Sequence, residues 1–314
     1  MYGSIVDVLS DAIAAMRTGR PHSSRTRKHA PWGVRFPSTE GAGFHVVLKG
    51  SAWLLPRDDA EPVRLGAGDV VFLAHGYRHS LVDHPGSPVE DVELEPDGSW
   101  PPVPNPNPDP QPDAGPETLL LCGAYQLSKT RAHPLLTELP DVVHLPAGAG
   151  AHPSLHAAVE LLAAELAGPQ PGSDAIVPAL LDTLLLYLLR AWWLQERAHE
   201  PTGWAGAMVD PAITAALHAI HADPAHPWTV GELGAAAGLS RAAFARRFTA
   251  LVGQPPLAYL TWWRMTTAGR LLRKDDAPLR TVAQHAGYTS EFAFAKAFKR
   301  EYGMAPGQYR RGTG

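Results

Sequence analysis

The first half of the chain holds four side chains whose types could support chemistry: His45, His75, His79 and Cys122. Two or three imidazoles can hold zinc or another divalent metal. The run His45-Val46-Val47 offers one histidine with no second histidine or glutamate beside it, so that ligand set is incomplete. His45 and His79 then read as pocket or core histidines with hydrogen-bond partners, and as candidate contacts to an effector. A thiol senses oxidants when it is exposed and held as thiolate. Cys122 follows Leu119-Leu120-Leu121, which points to a buried strand position, and as the sole cysteine it has no intramolecular disulfide partner; it stays a redox candidate, so that a redox signal is the alternative to a small effector. No Ser-His-Asp order, glycine-rich phosphate loop or paired catalytic carboxylates stand out, so no catalytic residues are assigned and the chain does not read as an enzyme.

The second half carries residues suited to nucleic acid. Ser240-Arg241-Ala242-Ala243-Phe244-Ala245-Arg246-Arg247-Phe248 recurs fifty residues later as Ser290-Glu291-Phe292-Ala293-Phe294-Ala295-Lys296-Ala297-Phe298, and Gly253, Pro256 and Tyr259 recur as Gly303, Pro306 and Tyr309. One unit is therefore written twice, and a repeat constrains architecture before any other signal. Each copy reads as helix, glycine turn, helix. Thr229 caps a helix with Val230, Leu233 and Ala236 inward, and Gly238 ends it. Ser240 caps the next, with Phe244, Phe248 and Leu251 on one face. Ser290 caps the equivalent helix around Phe294 and Phe298. This shape places its second helix in a DNA major groove. The faces left over are Arg241, Ala242, Ala245, Arg246 and Arg247 in one copy, and Glu291, Phe292, Ala295, Lys296, Lys299 and Arg300 in the other. Arginine can bridge guanine O6 and N7, small or apolar groups can meet thymine methyls, and further basic groups suit phosphates.

These runs resemble the DNA-binding domain of AraC-type (AraC/XylS) transcription regulators, together with Pro256-Leu257-Ala258-Tyr259-Leu260, Arg264-Met265 and Val282-Ala283-Gln284-His285-Ala286-Gly287-Tyr288. The resemblance covers roughly a third of the chain. It implies two DNA-reading helices joined by a long helix and entering adjacent major-groove segments, with Ala242 and Arg246 at bases in the first unit and Phe292, Ala295 and Lys296 in the second. His45 to Gly50, Gly66 to Leu73 and Gly76-Tyr77-Arg78-His79 resemble the cupin barrel fused to such readers, and Leu119 to Tyr125 and His133 to Pro140 resemble its continuation.

The elements that must position these residues follow from the pattern. Residues 2–18 suit an amphipathic helix. Gly19 to Pro31, polar and basic, reads as a solvated connector. From Trp32 to about Val92, short apolar runs between turn residues predict a small antiparallel barrel. The expected fold class is α+β multidomain, with a cupin-like antiparallel β-barrel followed by helices and an all-α domain of two helix–turn–helix units. The expected divisions are a sensor barrel over 1–153 with a proline-rich insertion at 95–117, a helical dimerisation segment over 154–203, and a DNA-binding domain over 204–314 with units at about 229–253 and 279–303. Within 154–203, Ser154 should cap a first helix. The next is apolar on more than one stripe, which predicts a two-fold dimer through Leu181, Leu184, Leu188 and Trp192. Gly203-Trp204-Ala205-Gly206 reads as a hinge.

Residues 205–314 hold 13 Lys and Arg against 7 Asp and Glu, whereas the remainder holds 14 against 24. Only the basic part suits a nucleic acid. The opening of the chain has no signal-peptide pattern. No stretch reads as long and apolar enough to span a bilayer, since Ala179 to Leu194 carries Asp182 and Arg190. The expected location is the cytoplasm. The expected partners are double-stranded DNA, a second copy of the chain, a small-molecule effector and RNA polymerase, with no membrane. No cofactor is assigned; zinc or another divalent metal on His45, His75 and His79 is the one the barrel could take. Two other readings stay open: a cupin metal enzyme fused to a DNA-binding domain, and a ligand-free dimeric DNA-binding scaffold.

Overall fold

The computed structural model describes residues 7–16, 19, 21–39, 41–56, 60–96, 99–101, 115–127, 133–148, 152–168, 170–196, 203–274 and 277–311. Most of the expected proline-rich insertion lies outside them. In chain order the elements are α1 (Val8–Met16), β1 (His22–His29), β2 (Gly33–Phe36), β3 (Ala42–Lys49), β4 (Ser51–Leu55), β5 (Val63–Gly66), β6 (Val70–Leu73), β7 (His79–Val82), β8 (Glu90–Asp91), β9 (Glu117–Tyr125), α2 (Pro134–Thr137), β10 (Val143–Leu145), α3 (Pro153–Ala167) and α4 (Ser173–Glu196). Then come α5 (Gly203–Ala207), α6 (Pro211–Ala222), α7 (Val230–Ala236), α8 (Arg241–Val252), α9 (Pro256–Lys274), α10 (Leu279–His285), α11 (Glu291–Tyr302) and α12 (Pro306–Arg311). Two compact units result. One is Thr18–Lys129 with Leu139–Gln195; the other is Met1–Arg17, Thr130–Glu138 and Glu196–Gly314.

The first unit is built on two five-stranded sheets, ordered β1-β9-β3-β6-β10 and β5-β4-β7-β2-β8. All pairings are antiparallel except β2 with β8. Val47, Ala52, Leu54, Leu65, Val71, Leu73, Leu81 and Leu120 form its core. The segment expected as a solvated connector is the strand β1, paired with β9 from His22 opposite Ala124 to His29 opposite Glu117. His22-Ser23-Ser24-Arg25-Thr26-Arg27-Lys28-His29 has no apolar residue, so the alternation that marks a half-buried strand is absent from its text.

Helix α4 corrects two expectations. Leu181, Leu184, Leu188 and Trp192 are buried within the single chain, so they are core residues and cannot form a dimer face. The Tyr125 hydroxyl donates to the Leu181 carbonyl at 2.9 Å, tying α4 to β9. Ser173–Gln195 also has the length and composition of a bilayer span, with mean hydropathy 1.6 over an 18-residue window, despite Asp182 and Arg190. Its leucines are spread over more than one stripe because one side supplies the unit's core. Helix α3 starts at Pro153 without a side-chain cap, so Ser154 does not cap it.

In the helical unit, the expected hinge is instead α5, with Trp204 and Ala207 buried. Its indole is large enough to override the two glycines and anchor the segment in a core. Leu233, Phe244, Phe248, Val252, Tyr259 and Leu260 are buried around the first repeat. Val252, not Leu251, completes the inward face of α8, and Ala236 is exposed. Met265, Ala268, Leu272, Val282, Ala283, Ala286, Phe294 and Phe298 form the core of the second repeat.

Candidate functional site

The reading helices are set by short-range chemistry. The Thr229 hydroxyl accepts from the Glu232 amide at 3.2 Å, and the Glu232 carboxylate accepts from the Thr229 amide at 2.8 Å, a reciprocal box that starts α7. Ser240 accepts from the Ala243 amide and starts α8; Ser290 accepts from the Ala293 amide and starts α11. Gly253 and Gly303 end those helices in the left-handed conformation. Arg264 on α9 donates from Nε to the Pro224 carbonyl at 2.6 Å and from Nη2 to the His226 carbonyl at 2.8 Å. It thereby holds the segment that enters α7.

With Phe244, Phe248, Phe294 and Phe298 fully buried, the opposite faces are presented to solvent. Arg241, Ala242 and Arg246 are exposed and Ala245 is half-buried. Arg247 is exposed too, but its Nε lies 2.5 Å from Asp210, a buried carboxylate that also accepts from the Ala212 and Ile213 amides to cap α6. That guanidinium is engaged within its own unit. On α11, Glu291, Phe292, Lys296, Lys299 and Arg300 are exposed and Ala295 is half-buried. Glu291 accepts from Arg280 Nε at 3.2 Å, which offsets its repulsion of a phosphate, and Phe292 is 80% exposed. An exposed phenyl ring at a helix start is costly in water and can contact a thymine methyl.

The sheet unit holds a solvent-open cavity of about 180 Å³. Alternation along β1 points His22, Ser24, Thr26 and Lys28 into it. Strands β2, β3, β6, β7 and β9 add Val34, Phe36, Gly43, His45, Leu73, His79, Leu81, Leu120, Cys122 and Ala124, and Tyr77, Trp100 and Pro101 are among the other described residues that line it. Trp100 falls in the stretch expected as a proline-rich insertion; its ring lies 6.2 Å from both Phe36 and His22.

His45 Nε2 and His79 Nε2 are 2.7 Å apart, and His79 Nδ1 is 2.7 Å from the Tyr77 carbonyl. A carbonyl only accepts, so His79 carries its proton on Nδ1 and accepts at Nε2 from the Nε2–H of His45. Burial holds His45 well below the usual imidazole range, with His79 adding to the effect. Burial also lowers His79 to about 4, against the Tyr77 hydrogen bond. The pair is neutral at pH 7. His75 does not join it: its Nε2 bonds the Leu139 carbonyl at 3.0 Å. Two Nε2 atoms sharing zinc at about 2.0–2.1 Å each in tetrahedral geometry sit farther apart than this hydrogen bond. The three histidines therefore do not converge on one point in this arrangement, and no cluster of three or more His, Cys, Asp or Glu is placed for a metal among the described residues. Burial pushes the Cys122 thiol up to about 12, with Lys28 opposing, so it holds almost no thiolate at neutral pH.

A buried polar cluster in the helical unit had no signal beyond single histidines. His221 Nε2 lies 2.7 Å from the Tyr259 hydroxyl, which is 3.4 Å from His133 Nε2, and His221 Nδ1 is 3.5 Å from Asp11. The His133 ring packs edge-on to Trp204 and Trp262 at 4.4 and 5.0 Å. Four separate stretches of chain supply these groups, so no local spacing could reveal them.

A cupin family profile matches residues 7–193, and a helix-turn-helix domain profile matches residues 233–312. An AraC-like transcription regulator of Streptomyces antibioticus is 34% identical over 98% of this chain and 99% of its own length. The HTH-type transcriptional regulator MtrA of Neisseria gonorrhoeae is 32% identical over 90% of this chain and 91% of its own. Among solved structures, the DNA-binding domain of AdpA in complex with a target DNA is 34% identical, covering 33% of this chain and 92% of that one, with a TM-score of 0.31.

Proposed function

The chain belongs to the AraC-type transcription regulators, and from that premise we propose how it reads DNA and what controls it. It is a sequence-specific DNA-binding regulator. Its contacts with double-stranded DNA run through α8 and α11, with Arg246 and Phe292 the principal base readers. Arg241, Lys296, Lys299 and Arg300 serve phosphates or flanking bases. Arg247 positions α8 through Asp210 and is a secondary contact. The observation that carries this reading is the phased repeat whose aromatic cores are buried while those side chains stand exposed. Sequencing DNA fragments retained by the purified protein tests it. Arg246→Ala should relax preference at one base position, and a uniform loss over all sequences assigns Arg246 to phosphate instead.

The barrel is a sensor and not an enzyme. Its cavity takes a small effector, which biases DNA binding to the extent that it prefers one arrangement of the chain. The neutral histidine pair and the buried thiol support an effector over a redox signal. The protein works in the cytoplasm as a homodimer that also meets RNA polymerase. The dimer face is the exposed side of α3 and α4, where Leu161, Ile176 and Leu194 stand 60%, 43% and 57% exposed. Leu161→Glu with Ile176→Glu should yield monomers by sedimentation; an unchanged mass would remove that face.

A further inference from the structure

The first reading helix carries one arginine that its own unit already holds. Phe248 of α8 is fully buried. Successive residues of an α-helix turn by roughly 100°, so Arg246 lies on the side opposite Phe248 and Arg247 lies on the flank between them. A helix about 10–12 Å across fills a major groove about 12 Å wide, so its flanks meet the groove walls, where the phosphates stand. With Arg246 at the bases, Arg247 is directed at one of those walls.

Asp210 fixes that arginine from behind. Its Oδ1 accepts from the Ala212 amide at 3.0 Å and from the Ile213 amide at 3.1 Å, and its Oδ2 accepts from Arg247 Nε at 2.5 Å. The carboxylate is buried and anchored as the N-cap of α6, whereas the Arg247 side chain stays 54% exposed. Nε–H is one of five guanidinium donors. The terminal amino groups are then left to meet one phosphate as a fork. A phosphate does not pull Arg247 away, because a buried carboxylate left unpaired costs more than one such contact returns. The second copy is built differently: buried Ala297 stands where the first has Arg247. We propose that Asp210 is a positioning residue for DNA binding, which presents Arg247 to a backbone phosphate beside the bases that Arg246 reads. The proposal rests on the reading of α8 as a DNA-reading helix.

Fluorescence anisotropy of the full-length protein tests it with two duplexes, one enriched from a random pool by the wild-type protein and a scrambled copy of it. Arg247→Ala should weaken binding to both and lower the salt slope by about one. Asp210→Asn keeps a good helix cap. It should weaken both complexes by about threefold or more, yet change little when Arg247 is already alanine. Loss of one negative charge acts alike in the two backgrounds, so the difference between them reports the clamp. Arg247→Lys keeps the charge and the salt slope, lacks the fork, and should also lose about threefold or more. Melting curves establish that each variant folds. An Asp210→Asn effect equal in the two backgrounds, a gain of affinity in place of the loss, or an Arg247→Lys chain that binds like wild type overturns the assignment. If Arg246→Ala still lowers the preference for the enriched duplex beside any of these results, the clamp alone is lost. Unchanged binding in both Arg246→Ala and Arg247→Ala overturns the reading of α8 with it.

Discussion

Phe244 and Phe248 of the first helix–turn–helix unit meet with ring centroids 5.4 Å apart and tilted by 58°; Phe294 and Phe298 of the second meet at 5.6 Å and 51°. The serine caps bond their amides at 3.3 and 3.4 Å, and the closing glycines have φ of 79° and 75°. Outside this shared frame the copies part. The turn runs over residues 237–240 in the first and 286–290 in the second, one residue longer. The inner face of the leading helix has Gly234 in the first copy, where a Cβ would lie 3.1 Å from the Leu239 carbonyl, and buried Ala283 in the second. Ala242 faces Phe292 in the alignment, Arg241 faces Glu291, and Arg247, held by Asp210, faces buried Ala297. Packing constrains the interior to one solution because buried volume is costly to change. Solvent-facing positions carry no such constraint, so the two exposed faces are free to differ.

The comparison can be broken first at its core. Phe248→Ala and Phe298→Ala should each cost roughly 3–5 kcal/mol through a cavity, read from urea unfolding. Strongly unequal losses would show that the copies are not packed alike. Next, Arg246→Ala should cost about 1–3 kcal/mol at one base position, whereas Lys299→Ala should weaken all sequences alike and reduce the salt slope by about one. Identical profiles for the two variants would erase the distinction between reader and phosphate contact. Gly238→Ala should cost about 1–2 kcal/mol from left-handed backbone alone. Gly287→Ala should cost more, because a methyl there would lie 2.9 Å from the Ala225 carbonyl and from Arg264 Nη2. Melting curves rank the pair, and the reverse order would refute the steric account. Smallest is Glu291→Gln, which removes an exposed pair with Arg280 and should change stability by less than about 1 kcal/mol. A larger loss would mean the pair shapes the start of α11.

Legibility differed between the two halves for physical reasons. The reader domain was readable because its information is local: caps, glycines and apolar spacing lie within a dozen residues of one another. Thr229 with Glu232 was a further local signal of that kind. The barrel was harder. Strand β1 shows no hydrophobic alternation because the face it turns inward, His22, Ser24, Thr26 and Lys28, lines a cavity and not the core. In the sequence Lys28 therefore reads as connector text. The leucines of α4 read as a partner-chain contact because a helix apolar on several stripes states that it is buried without stating by what.

From its order of residues alone, the chain determined a duplicated helix–turn–helix reader behind a cupin barrel, since repeat, cap and turn chemistry act over short distances. Only the tertiary structure decided that His45 and His79 bond each other and exclude His75, that Asp210 takes Arg247, and that Lys28 lines a cavity. Those outcomes depend on which distant strands and helices meet, and hydrogen bonds and burial act on distance in space, which sequence spacing does not specify.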